Sequence, residues 1–141
     1  MYLVDTNIFL EVLLQGPRKD ECRGFLNLLK DGKKGGVITD FAVHSIIVIM
    51  GNQNKFKELK IFLSSLTAYK GLHVYNTSLA DEIFATEIAT EQKMDMDDAI
   101  QYSIAQAIKA EAIMSFDKHF NNLKIPRMEP QQTQKPIKKK K

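Results

Sequence analysis

Four acidic residues from two distant parts of the chain have the type and placement to bind a metal ion. Asp5 follows the short apolar run 2–4, whereas Asp97, Asp98 and Asp117 lie far along the sequence. Carboxylates that a fold brings together repel one another, and a divalent cation offsets that repulsion. The residue types therefore predict a metal site built from oxygen ligands.

Each of these acids stands at the boundary of a predicted element. Tyr2–Val4 is typical of a short buried strand, which Asp5 follows directly. The aspartate pair opens a helical segment, and Asp117 comes just after a second buried strand at 112–115. Residues past the carboxyl ends of parallel strands share one edge of an open α/β sheet with residues at helix starts. All four acids are therefore expected to meet at that edge.

Short apolar runs alternate with longer helical patterns along the chain. Strands separated by helices need crossover connections, which favours a parallel sheet covered by helices on both faces. We therefore predict an α/β fold of three layers. The pattern predicts strands at 2–4, 37–39, 72–75 and 112–115, and helices at 7–15, 20–30, 41–50, 56–69, 78–91 and 97–109.

Three of these helices begin beside residues that favour caps. Asp20 is the predicted N-cap of the second helix, and Ser78 with Asp81 resembles a capping box. The apolar segment 41–50 contains several β-branched residues in a row and also permits a strand. Its length and the capping Thr39 before it favour a buried helix.

The composition is typical of one soluble domain. The chain has 141 residues, of which 44% are hydrophobic and 26% charged. No apolar run approaches the roughly 18–20 residues that cross a bilayer, and the first residues lack the charged leader of a secretion signal. We therefore expect a cytoplasmic protein with no membrane association. One cysteine, Cys22, and three scattered histidines do not offer zinc-ligand spacing.

The net charge of +3 belongs to the C-terminal end. Residues 129–141 hold five of the 20 basic residues and one of the 17 acidic residues, which leaves residues 1–128 with a net charge of −1. Two prolines and little apolar content in the stretch 130–136 predict a basic, disordered tail over residues 126–141. A lysine cluster attracts phosphates non-specifically, but it also serves simply as a solvated tail, and the composition leaves both roles open.

Three motifs occur together in this chain in an order found in a known protein family. They are Met1–Asn7, Met96–Ile100 at the start of a helix, and Met114–Phe120 after a strand. Together they resemble the PIN domain, the nuclease fold of the VapC toxins, over residues 1–125. The resemblance implies a small parallel sheet between helices, usually dimeric, that cuts single-stranded RNA with Mg²⁺ or Mn²⁺. It also implies an antitoxin protein as a partner if the chain is the toxin of a toxin–antitoxin pair.

The family's acids can be placed on this sequence residue by residue. Asp5 matches the first acid, Asp98 the third and Asp117 the fourth. The second acid is a glutamate early in the helix after the second strand, and His44 is predicted to occupy that position. His44 then either bonds to a carboxylate or a metal-bound water, or has no catalytic role. Asp40, one turn earlier, is expected to cap the helix.

Three carboxylates are enough for the implied chemistry. Mg²⁺ takes oxygen ligands and keeps several waters, so Asp5, Asp98 and Asp117 suffice as metal ligands. A bound ion activates a water and stabilises charge on the phosphodiester oxygens. Adjacent helix residues point about 100° apart, and the family pattern favours Asp98 as the ligand, with Asp97 as its neighbour in the catalytic site. Simpler roles stay open, because acids are also favourable at helix starts and as caps of short turns.

Two other functions are compatible with the sequence. Without the glutamate, a degenerate PIN domain would bind RNA or a protein partner without cutting. A phosphatase-like or receiver-type α/β domain also places an aspartate after its first strand. Haloacid-dehalogenase-like phosphatases need Asp-x-Asp there, however, and this chain has Asp5-Thr6-Asn7.

Overall fold

A parallel sheet of five strands forms the centre of the part of the chain that the structure describes. The structure is a computed structural model, and it describes residues 1–134. The strands are β1 (Tyr2–Val4), β2 (Gly36–Thr39), β3 (Leu72–Tyr75), β4 (Ala112–Met114) and β5 (Arg127–Met128). The helices are α1 (Thr6–Leu13), α2 (Lys19–Lys30), α3 (Asp40–Asn52), α4 (Phe56–Leu66), α5 (Leu79–Gln92) and α6 (Met96–Ala107), with 3₁₀ turns at Lys118–Phe120 and Pro130–Thr133.

The strand order β3-β2-β1-β4-β5 places β1 at the centre, and every neighbouring pair is parallel. Tyr2 lies opposite Gly36 of β2 on one side and Ala112 of β4 on the other. The chain builds one half of the sheet from β1 outward and then crosses to β4. Such a reversal leaves a crevice at the carboxyl ends of the two strands beside it. Asp5 and Asp117 follow these two strands.

Helices cover both faces of the sheet, and each face has its own hydrophobic core. Successive strand residues point to opposite faces, so Val4 packs in one core and Leu3 in the other. The first core joins the sheet to α1, α2, α3 and α4 and contains the fully buried Phe9 and Phe25. The second joins it to α5 and α6 and contains Phe120. The predicted α/β fold of three layers is confirmed.

The predicted strands and helices are all present, with ends shifted by a few residues. The segment 41–50 lies within helix α3, and Thr39 caps that helix by accepting a hydrogen bond of 3.0 Å from the Ala42 N–H. The capping box at the start of α5 is also present. Asp20 does not cap α2, because the helix begins one residue before it. No helix within residues 1–134 combines the length and the apolar content needed to cross a membrane.

The fold continues past residue 125, the predicted end of the domain. Arg127 and Met128 form the edge strand β5 beside β4, and Pro130 is buried. Glu129 accepts hydrogen bonds of 2.7 Å from Arg18 and 2.8 Å from Arg127. The predicted disorder is therefore corrected for residues 126–134, where ion pairs hold a segment with few apolar side chains. The lysine-rich end of the predicted tail, residues 135–141, lies outside the described residues.

Candidate active site

A cavity of about 230 Å³ opens at the carboxyl edge of the sheet, beside the ends of β1 and β4. All four predicted acids line it. They reach it from three separate segments, as the sequence predicts: the end of β1, the first turn of α6 and the end of β4. Its full lining is Asp5, Thr6, Asn7, Phe41, Ser45, Ile49, Asp97, Asp98, Gln101 and Asp117.

Asp5 is the most deeply placed acid, with 9% of its surface exposed. One carboxylate oxygen, Oδ1, accepts hydrogen bonds from the Thr6 N–H at 2.8 Å and from Gln101 Nε2 at 3.1 Å. The other, Oδ2, accepts a hydrogen bond of 2.7 Å from Ser115 Oγ. Burial raises the pKa of Asp5, and the nearby charge of Asp117 adds to this, although the hydrogen bonds oppose it. A cation at this position would offset the cost of the buried charge.

Gln101 links Asp5 to the second strand. Its amide is 4% exposed, and its Oε1 accepts a hydrogen bond of 3.2 Å from Thr39 Oγ1. The Thr39 hydroxyl oxygen also accepts from the Ala42 N–H and so caps α3. This cap, Gln101 and Asp5 therefore form one continuous hydrogen-bond network. Sequence reasoning missed Gln101. A signal existed, because Gln101 lies three residues after Asp98 and therefore on the same face of α6.

Ser115 connects the two strands that carry Asp5 and Asp117. Its hydroxyl donates to Asp5 Oδ2 and accepts a hydrogen bond of 2.9 Å from the Asp117 N–H. Ser115 thus bonds both to the local backbone and to a site carboxylate, and the contact with Asp5 was not predicted from the sequence. Ser115 is fully buried, so it holds both acids in a fixed relation.

Asp98 and Asp117 lie closer to solvent. Their side chains are 14% and 30% exposed. Burial raises the pKa of Asp98, and the charges of Asp97 and Asp117 raise it further, while a hydrogen bond with His119 lowers it. Asp117 also caps the 3₁₀ turn, because its Oδ1 accepts a hydrogen bond of 2.8 Å from the His119 N–H. Asp117 therefore caps the 3₁₀ turn and also lines the cavity.

Asp97 lines the same cavity but is exposed. Its Oδ1 accepts a hydrogen bond of 3.0 Å from the Asp98 N–H, which is a favourable arrangement at a helix start. Its carboxylate also lies near Asp95 and Asp98, with one oxygen of each within 4.8 Å of the others. This placement fits the predicted role of Asp97 as a neighbour of Asp98.

A histidine that the sequence did not single out completes the site. His119 Nδ1 lies 3.1 Å from Asp98 Oδ2 and 3.3 Å from Asp117 Oδ1. One ligand atom from each of these three residues falls within 4.8 Å of the other two, and Asp5 is outside this group. The hydrogen bond with Asp98, and the charges of both carboxylates, raise the pKa of His119. The available signal was its position two residues after Asp117.

The predicted placement of His44 beside the acids is not found. His44 is exposed and borders an apolar cavity that shares Phe41, Ser45 and Ile49 with the acidic one. Ser45, the next residue, lines the acidic cavity, because adjacent residues on a helix point about 100° apart. Asp40 is also turned away, with Oδ1 accepting hydrogen bonds from the N–H and hydroxyl of Thr77. Among the described residues, α3 therefore supplies no carboxylate to the cavity.

The donor set of the cavity suits a divalent cation. Four carboxylates line it, whereas no lysine or arginine in the described part of the chain does. Two of the carboxyl groups, Asp5 and Asp98, have pKa values raised first by burial and then by neighbouring negative charge. A hard cation with oxygen ligands, such as Mg²⁺ or Mn²⁺, would relieve both effects.

Known proteins share this sequence pattern and this fold. A sequence model of the PIN domain matches residues 2–126. Curated protein sequences give no significant match. Among solved structures, a toxin–antitoxin complex from Klebsiella pneumoniae contains a similar chain, with a TM-score of 0.69, 19% identity and coverage of 92% of this chain and 98% of that one.

Two further structures show the same likeness. The sarcin-ricin-loop-cleaving toxin VapC20 of Mycobacterium tuberculosis has a TM-score of 0.67 and 11% identity, over 84% of this chain and 91% of that one. VapBC2 of Rickettsia felis, bound to a DNA fragment from its promoter, has a TM-score of 0.69 and 18% identity, over 91% and 97%. At these identities the structures show a common fold. The match of the family model over residues 2–126 shows more: this chain belongs to the PIN domain family.

Proposed function

We propose that this protein is a metal-dependent ribonuclease that cuts single-stranded RNA internally, as the toxin of a toxin–antitoxin pair. One observation carries the proposal: acids from β1, α6 and β4 converge on one cavity, and two of them have raised pKa values. Membership of the PIN domain family and a fold shared with VapC toxins support it. In metal-dependent phosphodiester hydrolysis, such a cluster brings a cation to the scissile phosphate.

Each site residue has a defined part in this proposal. Asp5, Asp98 and Asp117 would hold Mg²⁺ or Mn²⁺, with Asp97 adding negative charge beside them. When bound, the ion supplies Lewis acidity and lowers the pKa of a water. Ser115 and Gln101 keep the Asp5 carboxylate oriented through the bonds of 2.7 and 3.1 Å described above.

Two protein partners are proposed as well. The complexes from Klebsiella pneumoniae and Rickettsia felis contain antitoxins, which supports an antitoxin as the partner of this chain. We also propose a homodimer, because α3 and α4 leave large apolar side chains exposed: Val48 at 59%, Phe56 at 60% and Ile61 at 63%. A monomer mass in light scattering at tens of micromolar would overturn the dimer.

Cleavage of a labelled RNA in Mn²⁺ or Mg²⁺ tests the proposed activity. Asp98→Asn should remove activity, as should a chelator, because each removes part of the metal site. Asp31→Asn is the matched control, since Asp31 is an exposed aspartate near the amino end of β2, at the opposite edge of the sheet. Wild-type protein that cleaves the RNA no faster than Asp98→Asn, with or without chelator, would contradict the proposal.

A second candidate function is binding of RNA or a protein without cleavage. The observation that favours it is that α3 gives the cavity no carboxylate, although the resemblance implies a glutamate early in this helix. A wild-type protein that binds Mn²⁺ and RNA but leaves the RNA intact would establish this function in place of the first.

A further inference from the structure

His119 contacts two carboxylates of the cavity, Asp98 and Asp117, through one ring nitrogen. We infer that His119 Nδ1 is a ligand of the same metal ion, which makes the site a mixed nitrogen and oxygen site that prefers Mn²⁺ to Mg²⁺. The inference rests on the proposed metal site, and it adds a ligand and a metal preference that the acids alone do not give.

The two distances from His119 Nδ1 to the carboxylate oxygens match those around one ion. Two neighbouring ligands in an octahedral shell, each about 2.1 Å from the metal, lie about 3 Å apart. Nδ1 lies 3.1 Å from Asp98 Oδ2 and 3.3 Å from Asp117 Oδ1. A metal ion could thus bind all three atoms with only small side-chain shifts.

The backbone holds His119 in this place. Its N–H donates a hydrogen bond of 2.8 Å to Asp117 Oδ1, and the next residue, Phe120, is 1% exposed in the core beside α6. The buried Phe120 fixes the 3₁₀ turn, and the turn directs the imidazole toward the two carboxylates. The His119 side chain is otherwise 69% exposed, so substitution there should leave the core intact.

The expected metal preference follows from ligand chemistry. Mg²⁺ favours oxygen ligands and sheds water reluctantly, whereas later divalent metals accept imidazole nitrogen more readily. A site with one nitrogen among its ligands therefore binds Mn²⁺ more tightly than Mg²⁺. Replacing the His119 imidazole by the amide of glutamine should narrow the difference between the Mn²⁺ and Mg²⁺ affinities.

Electron spin echo envelope modulation of bound Mn²⁺ tests the inference directly. The wild-type protein should show modulation from a coordinated ¹⁴N nucleus, and growth on ¹⁵N-histidine should change it. His119→Gln should abolish the modulation, whereas His44→Gln should preserve it, because His44 is exposed outside the acidic cavity. Calorimetry should show Mn²⁺ affinity reduced roughly tenfold or more in His119→Gln, with a smaller change for Mg²⁺.

The outcomes separate this inference from the proposed function. Mn²⁺ bound with normal affinity but without histidine modulation would overturn the role of His119 and leave the acidic site standing. A wild-type protein that binds no Mn²⁺ would overturn both. Equal losses of Mn²⁺ and Mg²⁺ affinity in His119→Gln would overturn the proposed metal preference, and a thermal melt of each variant shows whether the fold is retained.

Discussion

Asp5 and Asp117 follow neighbouring strands of one sheet, yet their surroundings differ. Asp5 is 9% exposed and accepts hydrogen bonds from Thr6, Gln101 and Ser115. The Asp117 side chain is 30% exposed and accepts one backbone bond within its own turn. We call the network around Asp5 the fixed side of the cavity, and Asp97, Asp98 and Asp117, with His119 beside them, the open side.

The difference in burial and hydrogen bonding indicates that the two sides of the cavity have different roles in binding an ion. The fixed side is locked by buried hydrogen bonds to β2, β4 and α6, so it sets the position of one carboxylate before any ion binds. The open side consists of a helix start and a short turn, which can adjust to an ion and to a phosphate. Substitutions on the fixed side should therefore be harder to compensate than those on the open side.

The largest effect is expected for Asp5→Asn. It removes the deepest carboxylate, so cleavage should fall by roughly 100-fold or more and calorimetry should show weaker Mn²⁺ binding. Without metal the variant should unfold at a higher temperature at neutral pH, because burial raises the pKa of Asp5 and the ionised form therefore destabilises the fold. Unchanged Mn²⁺ affinity would remove Asp5 from the proposed ligands.

Gln101→Leu tests whether the hydrogen-bond network matters beyond Asp5 itself. The change removes a bond to Asp5 and leaves Thr39 Oγ1 without its acceptor, so Mn²⁺ affinity should fall by roughly 10-fold. The unfolding free energy should drop by about 1–3 kcal/mol in urea titration. Gln106→Leu, on the same helix and away from the cavity, is the control. Equal losses of Mn²⁺ affinity and of unfolding free energy in the two variants would show that α6 packing alone explains both losses.

Ser45→Glu should strengthen the open side. A glutamate at this position would face the cavity and restore a carboxylate from α3, so cleavage should rise several-fold or need less metal. His44→Glu is the matched control one residue away, and it should change neither, because that side chain is exposed outside the cavity. A gain from His44→Glu alone would reverse the assignment of these two positions.

The smallest effect is expected for a change at Glu129. This residue binds Arg127, which in turn binds the backbone carbonyl of Ser115 on the fixed side. Arg127 donates to the Ser115 carbonyl and to Glu129, so Glu129→Gln should loosen this support and lower the unfolding free energy by about 1–2 kcal/mol. The bonds from Arg127 and Arg18 hold the pKa of Glu129 below its ordinary value. The Glu129 charge should therefore contribute fully to the free energy of unfolding above about pH 4.3, and this contribution should be lost as the pH falls further.

Urea titrations of the wild type and Glu129→Gln at several pH values check the direction of this pH dependence. The difference in unfolding free energy between the two proteins should shrink as the pH falls from 5 toward 3. A difference that stays constant over this range would show that the Glu129 charge contributes nothing to the fold.

The sequence was sufficient for the layers of the fold and for the meeting of the four acids at one edge of the sheet. Hydrophobic periodicity identified the strands that carry Asp5 and Asp117, and their order in the chain placed them on one edge. Strand β5 was missed because two residues, Arg127 and Met128, give no periodicity and are held by ion pairs and pairing with β4.

The remaining site residues depend on side-chain direction, which spacing alone does not determine. Gln101 sits in an apolar stretch, and its role follows only from the bonds to Asp5 and Thr39. His119 reaches Asp98 through the turn after β4, a contact across 21 residues. The sequence placed His44 beside the acids, whereas Ser45 lines the acidic cavity, because the direction of a helical side chain changes by about 100° from one residue to the next.

The most direct test of the acidic metal site is anomalous X-ray diffraction from a crystal soaked in Mn²⁺. We predict an anomalous peak inside the cavity, within coordinating distance of Asp5, Asp98 and Asp117. A crystal with full access of Mn²⁺ to the cavity and no peak there would contradict the account.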